Sequence, residues 1–189
     1  MRRAGLSQGA VVDLAMTVVD DHGIEGLTLA EIASRAGVAT PSLYKHVRSV
    51  ATLRVLVGTR VLEEMTDRFA VAVMGRGGDD AVDALMREYR AYGTTHANRY
   101  LAMPVDALHH AEHAEAGDRL MGVFLAVLRA YDLDGSAAVH AIRSLRTVAH
   151  GFVTIEIAGG FGLPEKLDET FDRLIAMVIA DLHRTGDST

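Results

Sequence analysis

The chain has 189 residues, 49% of them hydrophobic, and a formal charge of −6 at neutral pH. That length suits one ordinary domain or two small ones sharing a core, and the apolar share excludes a disordered tail. With no cysteine, disulfide frameworks, thiolate metal sites and cysteine nucleophiles are excluded together.

Apolar residues recur with a period near 3.6 along the whole chain, which predicts an all-α fold of about nine helices. Ser7 is a good N-cap for a first helix whose stripe is Val11, Leu14, Ala15, Val18 and Val19, ending at Gly23. Thr28-x-x-Glu31 forms a capping box before a second short stripe of Leu29, Ile32, Ala33 and Ala36, which Gly37 terminates. Thr40-Pro41 reads as an N-cap followed by a proline at the first helical position, opening a two-turn helix from Pro41 to about Val47. Ser49 caps a longer fourth helix carrying Leu53, Leu56, Val57, Val61, Leu62, Met65 and Phe69. The glycine-rich run from Gly75 to Asp80 breaks the chain. Beyond it the pattern predicts helices over Ala81–Thr95, Val105–Glu115, Asp118–Tyr131, Ala137–Ile157 and Leu167–Arg184. The one containing Leu120 to Leu128 is apolar nearly all round and is expected at the centre of the core. The expected organisation is a small N-terminal unit, residues 1–57, joined along the fourth helix to a larger bundle, residues 58–189.

Charge is distributed unevenly. Between Thr28 and Arg54 the basic residues Arg35, Lys45, Arg48 and Arg54 face the single acid Glu31, a positive segment in an acidic chain. Phosphate contacts need such a local patch, whatever the bulk charge. Helix, tight glycine turn and helix over Thr28–Val47 form a helix-turn-helix, whose last helix fits the major groove. Leu43, Tyr44 and Val47 are expected on its inner face, leaving Thr40, Ser42, Lys45 and His46 outward.

The run from Gly26 through Thr28, Glu31, Ala33, Ala36 and Gly37 to Val38, followed by Pro41-Ser42-Leu43-Tyr44-Lys45-His46-Val47, resembles the DNA-binding domain of TetR-family repressors. The resemblance covers about Ser7 to Val61. It implies that Thr28 contacts phosphate, that Thr40, Pro41 and Ser42 face bases, and that Tyr44 and His46 clamp the DNA backbone. It also implies a homodimer on double-stranded DNA whose C-terminal helices form the dimer interface and enclose a small-molecule pocket. With the Met- and aromatic-rich helices beyond, the expectation is a cytoplasmic repressor released from a palindromic operator by a small, mostly apolar effector. Val50 stands where the family usually has a lysine, a loss that Arg48 or Arg54 would have to offset. Further along, Ala149-His150-Gly151-Phe152, Glu156 and Gly159-Gly160-Phe161-Gly162 resemble the effector domain of a subgroup marked by Trp-x-His-Gly, with Val148 near the tryptophan position.

Other clusters have plainer readings beside sharper ones. Met86, Tyr89, Met103, Met121, Phe124, His150 and Phe152 are candidates to line an effector cavity, although methionines and aromatics at helical spacing also make ordinary core. His109 and His113 at i and i+4, with His110 beside them, have a spacing that can chelate zinc, but a solvated helix needs no metal and none is expected. Glu156 on an apolar stretch reads as a pocket anchor or an interface charge. No nucleophile elbow or phosphate loop after a strand is present, so the expectation is a non-enzyme without cofactor. No export signal or membrane-spanning run is legible. The rival to DNA binding is a helical module whose basic corner binds a protein.

Overall fold

The structure, a computed structural model, describes residues 6–104, 107 and 111–186. Among the described residues there are eight α-helices, three short 3-10 segments and no strand. The α-helices are α1 (Gln8–His22), α2 (Leu29–Ala36), α3 (Val50–Val73), α4 (Gly78–Thr95), α5 (Ala97–Leu101), α6 (Ala114–Leu128), α7 (Gly135–Ile157) and α8 (Leu167–Gly186). The 3-10 segments are Ile24–Gly26, Thr40–Lys45 and Arg129–Tyr131. No helix is long and apolar enough to cross a membrane.

The N-terminal boundaries follow from local chemistry. Ser7 Oγ accepts the Ala10 N–H at 3.2 Å, Thr28 Oγ1 accepts that of Glu31 at 3.2 Å, and Ser49 Oγ accepts that of Thr52 at 3.0 Å. Each bond satisfies a donor that a helix N-terminus leaves open. Gly37 closes α2 in the left-handed region, φ 65° and ψ 35°, which lets the Val38 N–H reach back to the Ala33 carbonyl at 3.0 Å.

Four expectations need correction. The segment after Gly37 is a 3-10 helix and not α-helical, so each residue turns about 120° and not 100°. Leu43 and Val47 are buried as expected, but Tyr44 swings outward and is 57% exposed. The helix expected over Val105–Glu115 is not continuous: residues 107 and 111–113 are non-helical and α6 starts at Ala114. Val105, Asp106, Leu108, His109 and His110 lie outside the described residues. The helix α5 had no counterpart in the sequence pattern. Finally, α6 is not enclosed: Phe124, Val127 and Leu128 are buried, whereas Leu125 is 42% exposed.

The chain divides into two compact units. One comprises Met1–Glu63 with His96–Gly117 and is centred on Val11, Ala15, Val19, Ile32, Leu43 and Leu53. In it α1 packs on α2 and on α5, where Arg99 forks onto the Asp20 carboxylate and the Asn98 amide donates to the Asp20 carbonyl at 2.8 Å. The other comprises Glu64–Thr95 with Asp118–Thr189. There α4 packs on α7 and α8 around Phe69, Leu85, Met86, Leu145, Phe171 and Ile175.

Candidate nucleic-acid interface

Two buried pegs mount the segment Thr40–Lys45 on the first unit: Leu43 is 0% exposed and Val47 2% exposed. Burying two branched side chains on a segment this short contributes about 3–6 kcal/mol of apolar stabilisation, more than 3-10 hydrogen bonding alone supplies. With the pegs inward, Pro41, Ser42, Tyr44, Lys45 and Arg48 are exposed, and Thr40 and His46 are half-buried.

Electrostatics sorts the four cations counted in the sequence. Arg35 is committed within its unit: its guanidinium donates to Glu31 at 2.8 Å, to Asp21 at 2.8 Å and to Thr17 Oγ1 at 3.2 Å. The Glu31 and Asp21 bonds raise its pKa further, fixing its charge inside the α1–α2 corner. Arg54 donates to Glu25 at 3.2 Å. Lys45 and Arg48, by contrast, have no described acidic partner. The expected positive segment therefore shrinks to two unspent cations beside an exposed tyrosine and two small exposed residues. Thr28 is exposed too; accepting from Glu31 leaves its hydroxyl hydrogen available to an anion. Val50 occupies the first position of α3, where Ser49 has already taken the cap.

The second unit holds most of the residues read as effector-lining. Tyr89 and Phe124 pack on Phe69 with ring centroids 5.4 and 6.2 Å away, and Met86 is 1% exposed. Phe152 is placed elsewhere, against Phe161 and Phe171 at 4.8 and 4.9 Å. Met121 and His150 are half-buried; burial first, then the Arg146 charge, hold the His150 imidazole below its ordinary pKa. Met103 is 9% exposed and belongs to the first unit. So does His113, whose Nδ1 lies 3.0 Å from Thr59 Oγ1.

Glu156 has a partner the sequence did not suggest. Arg90 of α4 donates both Nε and Nη2 to its carboxylate at 2.7 Å, and Nη1 to Asp168 at 2.7 Å. The same guanidinium lies 5.2 Å from the centroids of both Phe152 and Phe171. Within this chain Glu156 is thus paired, and together with Arg90, Thr94, Asp168 and Phe171 it lines a groove of about 330 Å³. An arginine on the inward side of α4 was the only available signal, and nothing local ties position 90 to position 156.

Comparison with known proteins gives the family. Residues 11–53 match the model of the bacterial regulatory proteins of the tetR family, and residues 82–178 match that of the tetracyclin repressor-like C-terminal domain. A helix-turn-helix transcriptional regulator of Mycobacterium tuberculosis is 35% identical over 161 residues, spanning 84% of this chain and 73% of that one. The Bacillus subtilis regulator YobS is 28% identical over 182 residues, spanning 95% and 94%. Among solved structures, a TetR from Acinetobacter baumannii bound to minocycline superposes with a TM-score of 0.73 at 18% identity, covering 95% of this chain and 98% of that one. The chain belongs to the TetR family of helix-turn-helix, DNA-binding transcriptional regulators.

Proposed function

We propose that the protein is a cytoplasmic homodimeric repressor that releases a palindromic operator when a small, mostly apolar molecule binds its second unit. The observation that carries the DNA reading is the pair Lys45 and Arg48, which stay uncommitted while Arg35 and Arg54 are spent on acids. Residues 1–57 do the reading. Lys45 and Arg48 neutralise phosphates, Thr28, Tyr44 and His46 hold the DNA backbone, and Thr40, Pro41 and Ser42 face base edges.

Residues 58–189 sense and dimerise. The faces of α7 and α8 that leave Val139, Ile155 and Met177 between 44% and 56% exposed are the surface a second copy would cover. Between those helices His140, Arg143, Thr147, Met177 and Asp181 line a groove of about 600 Å³. A stable dimer on this surface should bury over about 2,000 Å² in total. The effector enters among Met86, Tyr89, Met121, Phe124 and His150, displacing the packing of Tyr89 and Phe124 on Phe69. The similar solved structure is a complex with minocycline; an apolar molecule suits the aromatic lining of this chain. Membership of the Trp-x-His-Gly subgroup is part of this proposal and rests on His150-Gly151 alone, with Val148 near the tryptophan position.

The test is a mobility shift with the DNA flanking the protein's own gene, with light scattering on the same sample. A salt-sensitive, sequence-specific complex of a dimer supports the proposal. A monomer, or a protein indifferent to duplex sequence, refutes it.

A further inference from the structure

The segment Thr40–Lys45 is short, and 3-10 hydrogen bonding is poorer than α-helical bonding. Its pegs, Leu43 and Val47, fix where it sits. The Leu43 carbonyl accepts from both the His46 and Val47 N–H groups, at 2.8 and 2.9 Å. The His46 carbonyl is met from outside: Gln8, the first residue of α1, donates Nε2 to it at 3.2 Å across 38 positions of sequence. Among the described residues this is the only side-chain hydrogen bond reaching residues 39–48. Gln8 is itself exposed, so its amide gains no burial by lying there. Its own placement is firm, because Ser7 caps α1 and Val11 and Val12 bury the next turn.

We infer that Gln8 is a positioning residue for DNA binding: by holding the His46 carbonyl it sets the angle at which Tyr44, Lys45 and His46 meet the phosphate backbone. The inference rests on the DNA reading proposed above. Gln8 is uncharged, and this makes the role separable from a direct phosphate contact. Losing a neutral donor to DNA weakens binding without changing the number of released counterions. Losing the alignment of Lys45 weakens binding and lowers the salt slope.

The experiment first selects a duplex from a random double-stranded library with the wild-type protein. It then measures its affinity against salt for wild type, Gln8→Ala, Gln8→Met, Lys45→Ala and Gln8→Ala/Lys45→Ala, with thermal unfolding of each. The expected result is a loss of about three- to tenfold per half-site for both Gln8 variants, the size of one hydrogen bond. The salt slope should fall in the wild-type background and stay constant once Lys45 is gone, with unfolding temperatures unchanged. Gln8→Met keeps the bulk without the donor, so it should match Gln8→Ala. Unchanged affinity, a loss of affinity at constant slope, or a loss that tracks a lower unfolding temperature overturns the inference and leaves the DNA reading standing. Failure of the wild type to select any duplex overturns both.

Discussion

Replacing Arg90 with methionine keeps an apolar stem between Phe152 and Phe171 and deletes a guanidinium that makes two 2.7 Å bonds to Glu156. Both side chains of that pair are only 17% exposed, so the orphaned carboxylate stays largely shielded from water. Breaking a buried pair by removing one partner costs about 3–5 kcal/mol. Protonation sets a ceiling, because an ordinary glutamic acid takes up a proton at pH 7 for about 3.7 kcal/mol. The Asp168 bond adds little, since that carboxylate is 80% exposed. Losing the cation between two rings adds about 1 kcal/mol, partly returned by methionine packing. The net expectation is a loss of about 3 kcal/mol, or roughly 6–12 °C for a chain of this size. Urea unfolding at pH 7 and pH 5 tests the reasoning. The deficit should shrink towards about 1 kcal/mol at pH 5, where the proton is cheap. The double variant Arg90→Met/Glu156→Leu should recover most of it at pH 7. A deficit below about 0.5 kcal/mol, or one equal at the two pH values, would show that the pair is solvated and that the helices α4, α7 and α8 hold without it.

Two further outcomes follow from the charge and titration pattern. Lys45→Ala should weaken operator binding and reduce the salt slope by about one unit if Lys45 neutralises one phosphate, whereas Arg35→Ala should act mainly by lowering thermal stability, since Arg35 is bound to Asp21 and Glu31; titrating affinity against salt separates them. For His150 the folded pKa lies below the ordinary value, so between the two the unfolded chain binds the extra proton. Stability should therefore fall as the pH drops from about 6.5 towards the folded pKa, and His150→Gln should flatten that part of the profile in thermal unfolding.

How much was legible in the sequence depended on how local the controlling contact is. The caps at Ser7, Thr28 and Ser49 and the left-handed Gly37 act over three to five residues, so the starts of α1, α2 and α3 and the end of α2 could be read directly. The segment after Gly37 was placed only to within two residues, since Ala39 and not Thr40 precedes it and it ends at Lys45, and its winding was not read: Pro41 at a helix start is compatible with both α and 3-10 geometry, and only the tertiary burial of Leu43 and Val47 selects between them. That choice turned Tyr44 from an inner residue into an outer one. Counting charges between Thr28 and Arg54 overstated the free positive charge for a related reason. Asp21 and Glu25 stand outside that window, yet the fold brings them onto Arg35 and Arg54. Glu156 and Arg90 are 66 positions apart and share no motif, so their pairing is invisible to any local pattern. A window of sequence reveals which charges are present. Which of them remain for a partner is decided by acids that arrive from elsewhere in the chain, and Lys45 and Arg48 are left over because none arrives for them.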